Sequence, residues 1–549
     1  MVTTRNKAIA EFIPFSIVHV HMLEPFCRKA FGSVGCCPPN LIELSERIVG
    51  KCGGLPLAIA AIAEGFVQCN NDLPSEYVAQ EYLKELIDRS LVQDSERKAS
   101  GRAKSCRVHD LMYETIRRKT KECDFFRFFD EKDLSHLSKT RHISVHKCAN
   151  GVLESIKNSK IRSICLFNVD ELPGTFTTAF VADFKLLKIL DFENAPLDCL
   201  PDGVGKLFHL HYLSLRNTKV KELPKSVGVL LNLETLDLKW TFVNELPVEI
   251  KNLKKLRFLI TRCLDNKGPY GETAKIQEGF GVLTELQQLR YVHGNTEVLE
   301  ELKKLRQMRK LGIRVANRDV KDLFVIVQNM KNLEGLTVTA FSSGEEPLDI
   351  QSLASPPLCL ERFSLGGMFI EILPVWISKL QNLTRLNLDL KGSTNDSMTI
   401  LQALPNLLVL MLFVHDCDEQ LHFKEGWFPK LQSLYLYNFR GLKCMMIEKG
   451  TMSSLTFLLI GPCPLLKEIP TGIEHLNNLK RLVFCMILKE VYCMIKNENW
   501  ENVTKHIPQI RVSYKQTSRG CFGYTSKYLS SLSVENFKDL IKEIEASNE

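Results

Sequence analysis

No Gly-x-x-x-x-Gly-Lys-Ser/Thr loop, no Cys-x-x-Cys pair and no His-Glu-x-x-His occurs in these 549 residues. The first absence removes the loop whose backbone amides and lysine cradle nucleotide phosphates. The other two remove the commonest zinc signatures. No apolar stretch reaches the length of a membrane helix, and Met1-Val2-Thr3-Thr4-Arg5 does not open a secretory leader. The eighteen cysteines are scattered, some at strand positions such as Cys165 and Cys485, which suits free thiols in a reducing compartment. The sequons at Asn382, Asn395 and Asn502 then read as chance matches. Charge is nearly balanced, with 71 basic against 64 acidic residues and a net +7, which does not argue for nucleic acid. The expectation is a cytoplasmic protein with no metal centre, no nucleic-acid partner and no membrane span.

What the chain has in abundance is leucine at a fixed interval. Thirteen copies of Leu-x-x-Leu-x-Leu begin at Leu187, Leu210, Leu233, Leu256, Leu286, Met308, Leu333, Leu360, Leu383, Leu407, Leu431, Leu455 and Leu479. The spacing is 23 residues over the first four and 24 over the last five, and Leu200-Pro201, Leu223-Pro224 and Leu246-Pro247 keep the 23-residue beat. Such a period is the signature of a leucine-rich-repeat solenoid. A single coil buries too little apolar surface to offset its ordering, so the coils must stack into one continuous core. The fold class is therefore α/β, a solenoid with a curved parallel sheet, over residues 141–513. A tail over 514–549 loses the period, although Val534 to Ala546 could form a short helix.

The first 140 residues follow another grammar. Pro38-Pro39-Asn40 precedes an amphipathic helix pattern through Val49. Gly53-Gly54 ends it, and Pro56 suits the first turn of a second helix through Phe66. A third helix is predicted from Ser75 to Arg89. Leu91-Val92-Gln93 and Cys106-Arg107-Val108 read as two strands around a basic loop, and His109-Asp110 opens a last helix over Leu111 to Lys121.

Several of these strings resemble plant intracellular nucleotide-binding, leucine-rich-repeat disease-resistance proteins of the coiled-coil type. Gly54-Leu55-Pro56-Leu57-Ala58 is similar to that family's GLPLA motif, and Val108-His109-Asp110 to its MHD motif. Val2-Thr3-Thr4-Arg5 resembles its sensor strand, Arg141-His142-Ile143-Ser144 its entry strand to the repeats, and Thr504-Lys505-His506-Ile507-Pro508 its closing segment. The resemblance implies a partial nucleotide-binding remnant over 1–66 and a truncated winged-helix-like region over 67–140. It also implies ADP or ATP as cofactor. Arg5 would stand near the phosphates, Pro56 beside the adenine, and His109 on the β-phosphate, with Asp110 supporting the turn that presents it. The bland alternatives stay open: a turn histidine bonded to the hairpin, and a proline that only starts a helix. Against the family pattern the chain opens inside a strand and lacks the phosphate loop, so a truncated receptor is expected.

The resemblance further implies plant defence: recognition of a pathogen effector or a guarded host protein, with a self-contact between repeats and switch remnant, and no enzymatic activity. The alternative is a protein-binding repeat scaffold or decoy that has lost nucleotide switching. On the sheet face, early repeats offer His211, Ser214 and Arg216, then Glu234, Asp237 and Lys239. Later repeats offer Val409, Met411 and Phe413, then Tyr435 and Tyr437, then Phe457 and Leu459. Strands about 4.8 Å apart would align these apolar residues into rows, the usual chemistry of a protein interface.

Overall fold

The computed structural model describes residues 75–88, 92–97, 103–108, 126–129, 140–148, 160–172, 184–263, 273–341, 350–351, 356–367, 369–485, 488–495, 500, 504–518 and 521–528. The chain divides into two compact units. The first is Met1–Leu197 with Pro201–Thr218 and Asn232–Thr235, and the second is the remainder through Glu549.

In the first unit, α1 (Ser75–Asp88) precedes an antiparallel hairpin of β1 (Val92–Arg97) and β2 (Ala103–Val108), with Val92 opposite Val108. Leu86 and Val92 are buried. The strands β3 (Phe126–Phe129), β4 (His142–Cys148), β5 (Ser163–Glu171), β6 (Ile189–Asp191) and β7 (Tyr212–Ser214) then pair in parallel. Their register aligns Ile143, Ile164, Leu190 and Leu213, all buried.

The second unit holds β8 (Thr235–Thr241, from Leu236 onward), β9 (Phe258–Cys263), β10 (Ala274–Lys275), β11 (Gln288–His293), β12 (Lys310–Ala316), β13 (Gly335–Phe341) and β14 (Arg362–Gly366). It continues with β15 (Arg385–Leu390), β16 (Val409–Val414), β17 (Gln420–Phe423), β18 (Ser433–Tyr437), β19 (Cys444–Ile447), β20 (Phe457–Ile460), β21 (Arg481–Cys485), β22 (Gln509–Ser518) and β23 (Cys521–Tyr528). From β11 to β22 the main sheet is parallel, β17 and β19 form a separate parallel pair, and β23 returns antiparallel on β22. Register runs unbroken through Leu311, Leu336, Phe363, Leu386, Leu410, Leu434, Leu458 and Leu482, and every one of these side chains is buried. The leading residue of each of the thirteen copies is likewise buried. That is the stacked apolar core the period demands.

The Leu-Pro step has a local cause. Pro201, Pro224, Pro247 and Pro374 each sit extended just before a tight helical turn, with φ between −65° and −70°. Proline's ring fixes that φ at no further cost. The turn at Lys225–Val229 approaches the next turn so closely that a β carbon on Gly228 would lie 2.4 Å from Glu249 Cβ. Side-chain amides fasten coil to coil: Asn382 donates to Leu358 O, Asn406 to Gln381 O and Asn478 to Ser453 O.

Three details depart from the sequence reading. The parallel sheet already includes β3, upstream of residue 141, and β22 runs through the boundary at 513 into the β22–β23 hairpin. In the first unit Ser214, expected to meet solvent, is buried, as are His142, Ser144, Ser163, Cys165 and Asp191 on the preceding strands. His142 Nδ1 and Ser163 Oγ satisfy each other there at 2.8 Å. In the second unit Asp237 is buried too, and its carboxylate accepts from Lys239 N–H at 2.9 Å. A small polar side chain that bonds its own backbone can be covered at little cost. The helices expected over 41–49, 56–66, 111–121 and 534–546 lie outside the described residues.

Candidate partner-recognition face

The outward side of the second unit's sheet holds the apolar residues that the later repeats predict. Along each strand, side chains alternate between core and face, so buried Leu410 and Leu412 leave Met411 and Phe413 on the other side. Register aligns Met411, Tyr435 and Leu459 in one row and Phe413 with Tyr437 in the next. All five, together with Phe457, are half-buried.

The rings form a connected stack. Phe413 and Tyr437 lie 4.5 Å apart between centroids at 10°. Tyr437 stacks on Tyr435 at 6.3 Å, and Tyr435 tilts against Phe457 at 4.9 Å. The Arg481 guanidinium ends the series 5.1 Å from the Phe457 ring. Each aromatic pair adds about 0.5–1.5 kcal/mol beyond area burial and holds the rings rigid, which lowers the entropy lost on binding.

Val409 does not belong to this exposed set. It is only 2% exposed. It pairs in register with Arg385 on one side and Ser433 on the other, and its short β-branched side chain sits low in the row. Sequence spacing assigns a side chain to a face, but the reach of its neighbours decides whether water touches it.

The sequence reading missed two neighbours of the stack. Phe369 meets the His415 ring edge-on at 4.0 Å, and burial pushes the proton affinity of His415 down. Asp389 pairs in register with Phe413, and burial pushes its carboxyl up to about 6 against the opposing hydrogen bond from Gly367 N–H. Leu390, next to Asp389, has the alternation of a core position, and nothing in the spacing distinguishes the acid from an exposed one.

The residues expected to hold nucleotide, Arg5, Pro56, His109 and Asp110, lie outside the described residues. Among the described residues no group of three His, Cys, Asp or Glu is arranged to hold a metal ion, and no helix is long and apolar enough to cross a membrane. Cys165, Cys463 and Cys485 are buried free thiols, and burial pushes Cys463 up to about 12.

A family model described as a leucine-rich repeat region matches residues 160–509, and one described as the disease resistance protein winged helix domain matches 61–116. The chain belongs to the leucine-rich-repeat disease-resistance proteins. It is 31% identical over 473 residues to the Arabidopsis thaliana disease resistance protein RPM1, covering 84% of this chain and 50% of that protein. Disease resistance protein RPP13 of the same plant is 28% identical over 420 residues, covering 72% of this chain and 44% of its own length. This disease-resistance chain thus spans about half the length of the curated relatives it matches. Among solved structures, a leucine-rich-repeat protein of Leptospira interrogans superposes with a TM-score of 0.43 at 21% identity, covering 66% of this chain and 92% of that one.

Proposed function

We propose that the chain serves plant defence as a cytoplasmic recognition receptor rather than as an enzyme. Its second-unit sheet face would contact a pathogen effector or a guarded host protein. The observation that carries this reading is the ring stack Phe413–Tyr437–Tyr435–Phe457, preorganised yet half-open to solvent. Rigid aromatics in a connected patch are the usual anchors of protein interfaces. The relatives' names supply the biological setting. Alanine at Phe413, Tyr435 and Tyr437 together should abolish defence signalling or partner capture in a plant-cell assay while the protein still accumulates. Unchanged signalling with normal accumulation would remove the stack from the interface.

Nucleotide switching is a separate proposal, supported by Gly54-Leu55-Pro56-Leu57-Ala58 and Val108-His109-Asp110. ADP or ATP would be held by Arg5, Pro56, His109 and Asp110, and the repeats would restrain the switch through a self-contact. Denaturing the purified chain and chromatographing the supernatant tests it. Stoichiometric ADP supports the switch; none supports the alternative of a binding scaffold or decoy.

A further inference from the structure

The same face carries a second chemistry upstream of the rings. Lys275 pairs in register with His293, His293 with Arg314, Arg314 with Thr339, and Thr339 with Gly366. Three successive strands therefore contribute basic side chains to one row. Four positions back along the strands a parallel row runs Lys310, Gly335, Arg362, Arg385. Between them lies a row of small residues, Gly312, Thr337 and Ser364. Gly312 is flanked by Lys310 and Arg314, and the row of small residues continues past Arg362 and Arg385 on one side, which makes a shallow trough with a basic upstream end and one basic rim.

The upstream end of the trough is shaped by a bulge. Leu289 pairs with Leu311 but Val292 pairs with Ile313, so Arg290 and Tyr291 together oppose Gly312. Tyr291 takes a left-handed φ of 61°. The Thr261 hydroxyl pins the bulge, 2.9 Å and 2.8 Å from the carbonyl oxygens of Arg290 and Tyr291. A β carbon on Gly312 would come within 3.2 Å of Tyr291 N, so glycine gives the bulge room. The guanidinium groups of Arg262 and Arg290 then lie 5.1 Å and 5.4 Å from the Tyr291 ring centroid. A bulge is a common device for re-aiming side chains beside a functional site. The field is positive here: His293 binds its proton less readily, first because of burial and then because of Lys275 and Arg314.

The floor does not stop at the basic zone. Ser364 pairs with Asn387, Asn387 with Met411, and Met411 with Tyr435. One row thus leads from between the cations onto the apolar patch, all within the second unit. At about 4.8 Å per strand, four steps from Gly312 to Met411 span about 19 Å, the length of roughly six extended residues.

We propose that this trough receives an extended acidic segment of a partner protein, its carboxylates at the basic upstream end and along the Arg362–Arg385 side, and an apolar side chain on the rings around Met411 and Tyr435. The proposal rests on the reading of this sheet as a recognition face and names the chemistry of the partner. Charge complementarity selects the acidic stretch. Between Gly312 and Asn387 the floor offers no ring on which successive bases would stack, so a continuous run of stacked bases has no platform there.

The test is fluorescence anisotropy on the purified full chain. The probe is a labelled synthetic peptide with four glutamates, a Gly-Ser-Gly spacer and a Leu-Tyr-Leu end. Lys275→Glu with Arg290→Glu should weaken its binding by roughly tenfold or more, and added salt should do the same. Lys275→Gln should give a smaller loss, which guards against a folding artefact together with an unchanged circular dichroism melt. Binding indifferent to both variants overturns the proposal, as does a single-stranded RNA oligomer that binds more tightly and is lost in the same variants. If the charge variants weaken binding but Tyr435→Ala does not, the acidic half stands and the ring-stack reading fails by itself.

Discussion

Asp389 Oδ2 accepts a hydrogen bond from Gly367 N–H at 2.8 Å, while Oδ1 is buried with no partner. One bond does not replace the water a carboxylate gives up, so burial holds the proton on and moves the group from 3.8 to about 6. The sign follows directly. The unfolded chain releases this proton near pH 4, the folded one near 6, so Asp389 costs stability progressively as pH rises between those values. The cost at neutral pH reaches at most about 3 kcal/mol.

Asp389→Asn keeps an acceptor for Gly367 and removes the charge. The variant should gain roughly 1–2 kcal/mol at pH 7.5 and nothing at pH 4. Chemical denaturation at the two pH values checks it. An equal effect at both would show that the carboxylate is not the origin of the slope.

Gly228→Ala should destabilise the second unit by roughly 1–3 kcal/mol, because the new methyl meets Glu249 Cβ at 2.4 Å and Glu249 O at 2.7 Å. Gly335→Ala is the matched control, since its nearest neighbour is Lys310 Cγ at 3.5 Å. The difference between their denaturation midpoints isolates the close approach of the turns.

The ring stack predicts a measurable coupling. A double-mutant cycle on Phe413→Leu and Tyr437→Leu should return about 0.5–1.5 kcal/mol of interaction energy. Additive single effects would mean that the rings are neighbours without being partners.

Asn395 donates through its side chain to Asp418 Oδ2 at 3.0 Å and Gln420 O at 2.8 Å, and accepts from His422 N–H at 3.2 Å. Asn395→Ala should cost about 1–3 kcal/mol and speed hydrogen exchange in β17.

How much of this was readable beforehand follows from how many constraints act on each residue. A core leucine such as Leu410 is specified by its own coil and by Leu386 and Leu434 beside it, so its burial was plain in the period. The helix Ser75–Asp88 and the Val92–Val108 pairing were likewise legible from apolar spacing and a basic turn. Face positions answer to residues one or more coils away. Val409, Ser214 and Asp237 are buried although their positions in the coil match exposed ones elsewhere. β3, Phe126-Arg127-Phe128-Phe129, joins the sheet with no leucine pattern to announce it. The basic row was invisible for a related reason: Lys275, His293 and Arg314 become neighbours only through register, and the bulge at Tyr291 shifts that register by one residue.

The asparagine bonds between coils restrict how such a chain can change length. Asn382, Asn406 and Asn478 each reach a carbonyl 24 or 25 positions earlier. Duplication or loss of one whole coil returns every amide to an acceptor, whereas a break inside a coil strands donors on one side and carbonyls on the other. Lineages of this chain should therefore gain and shed material in whole-coil steps, moving charged and aromatic rows relative to each other like type in a line.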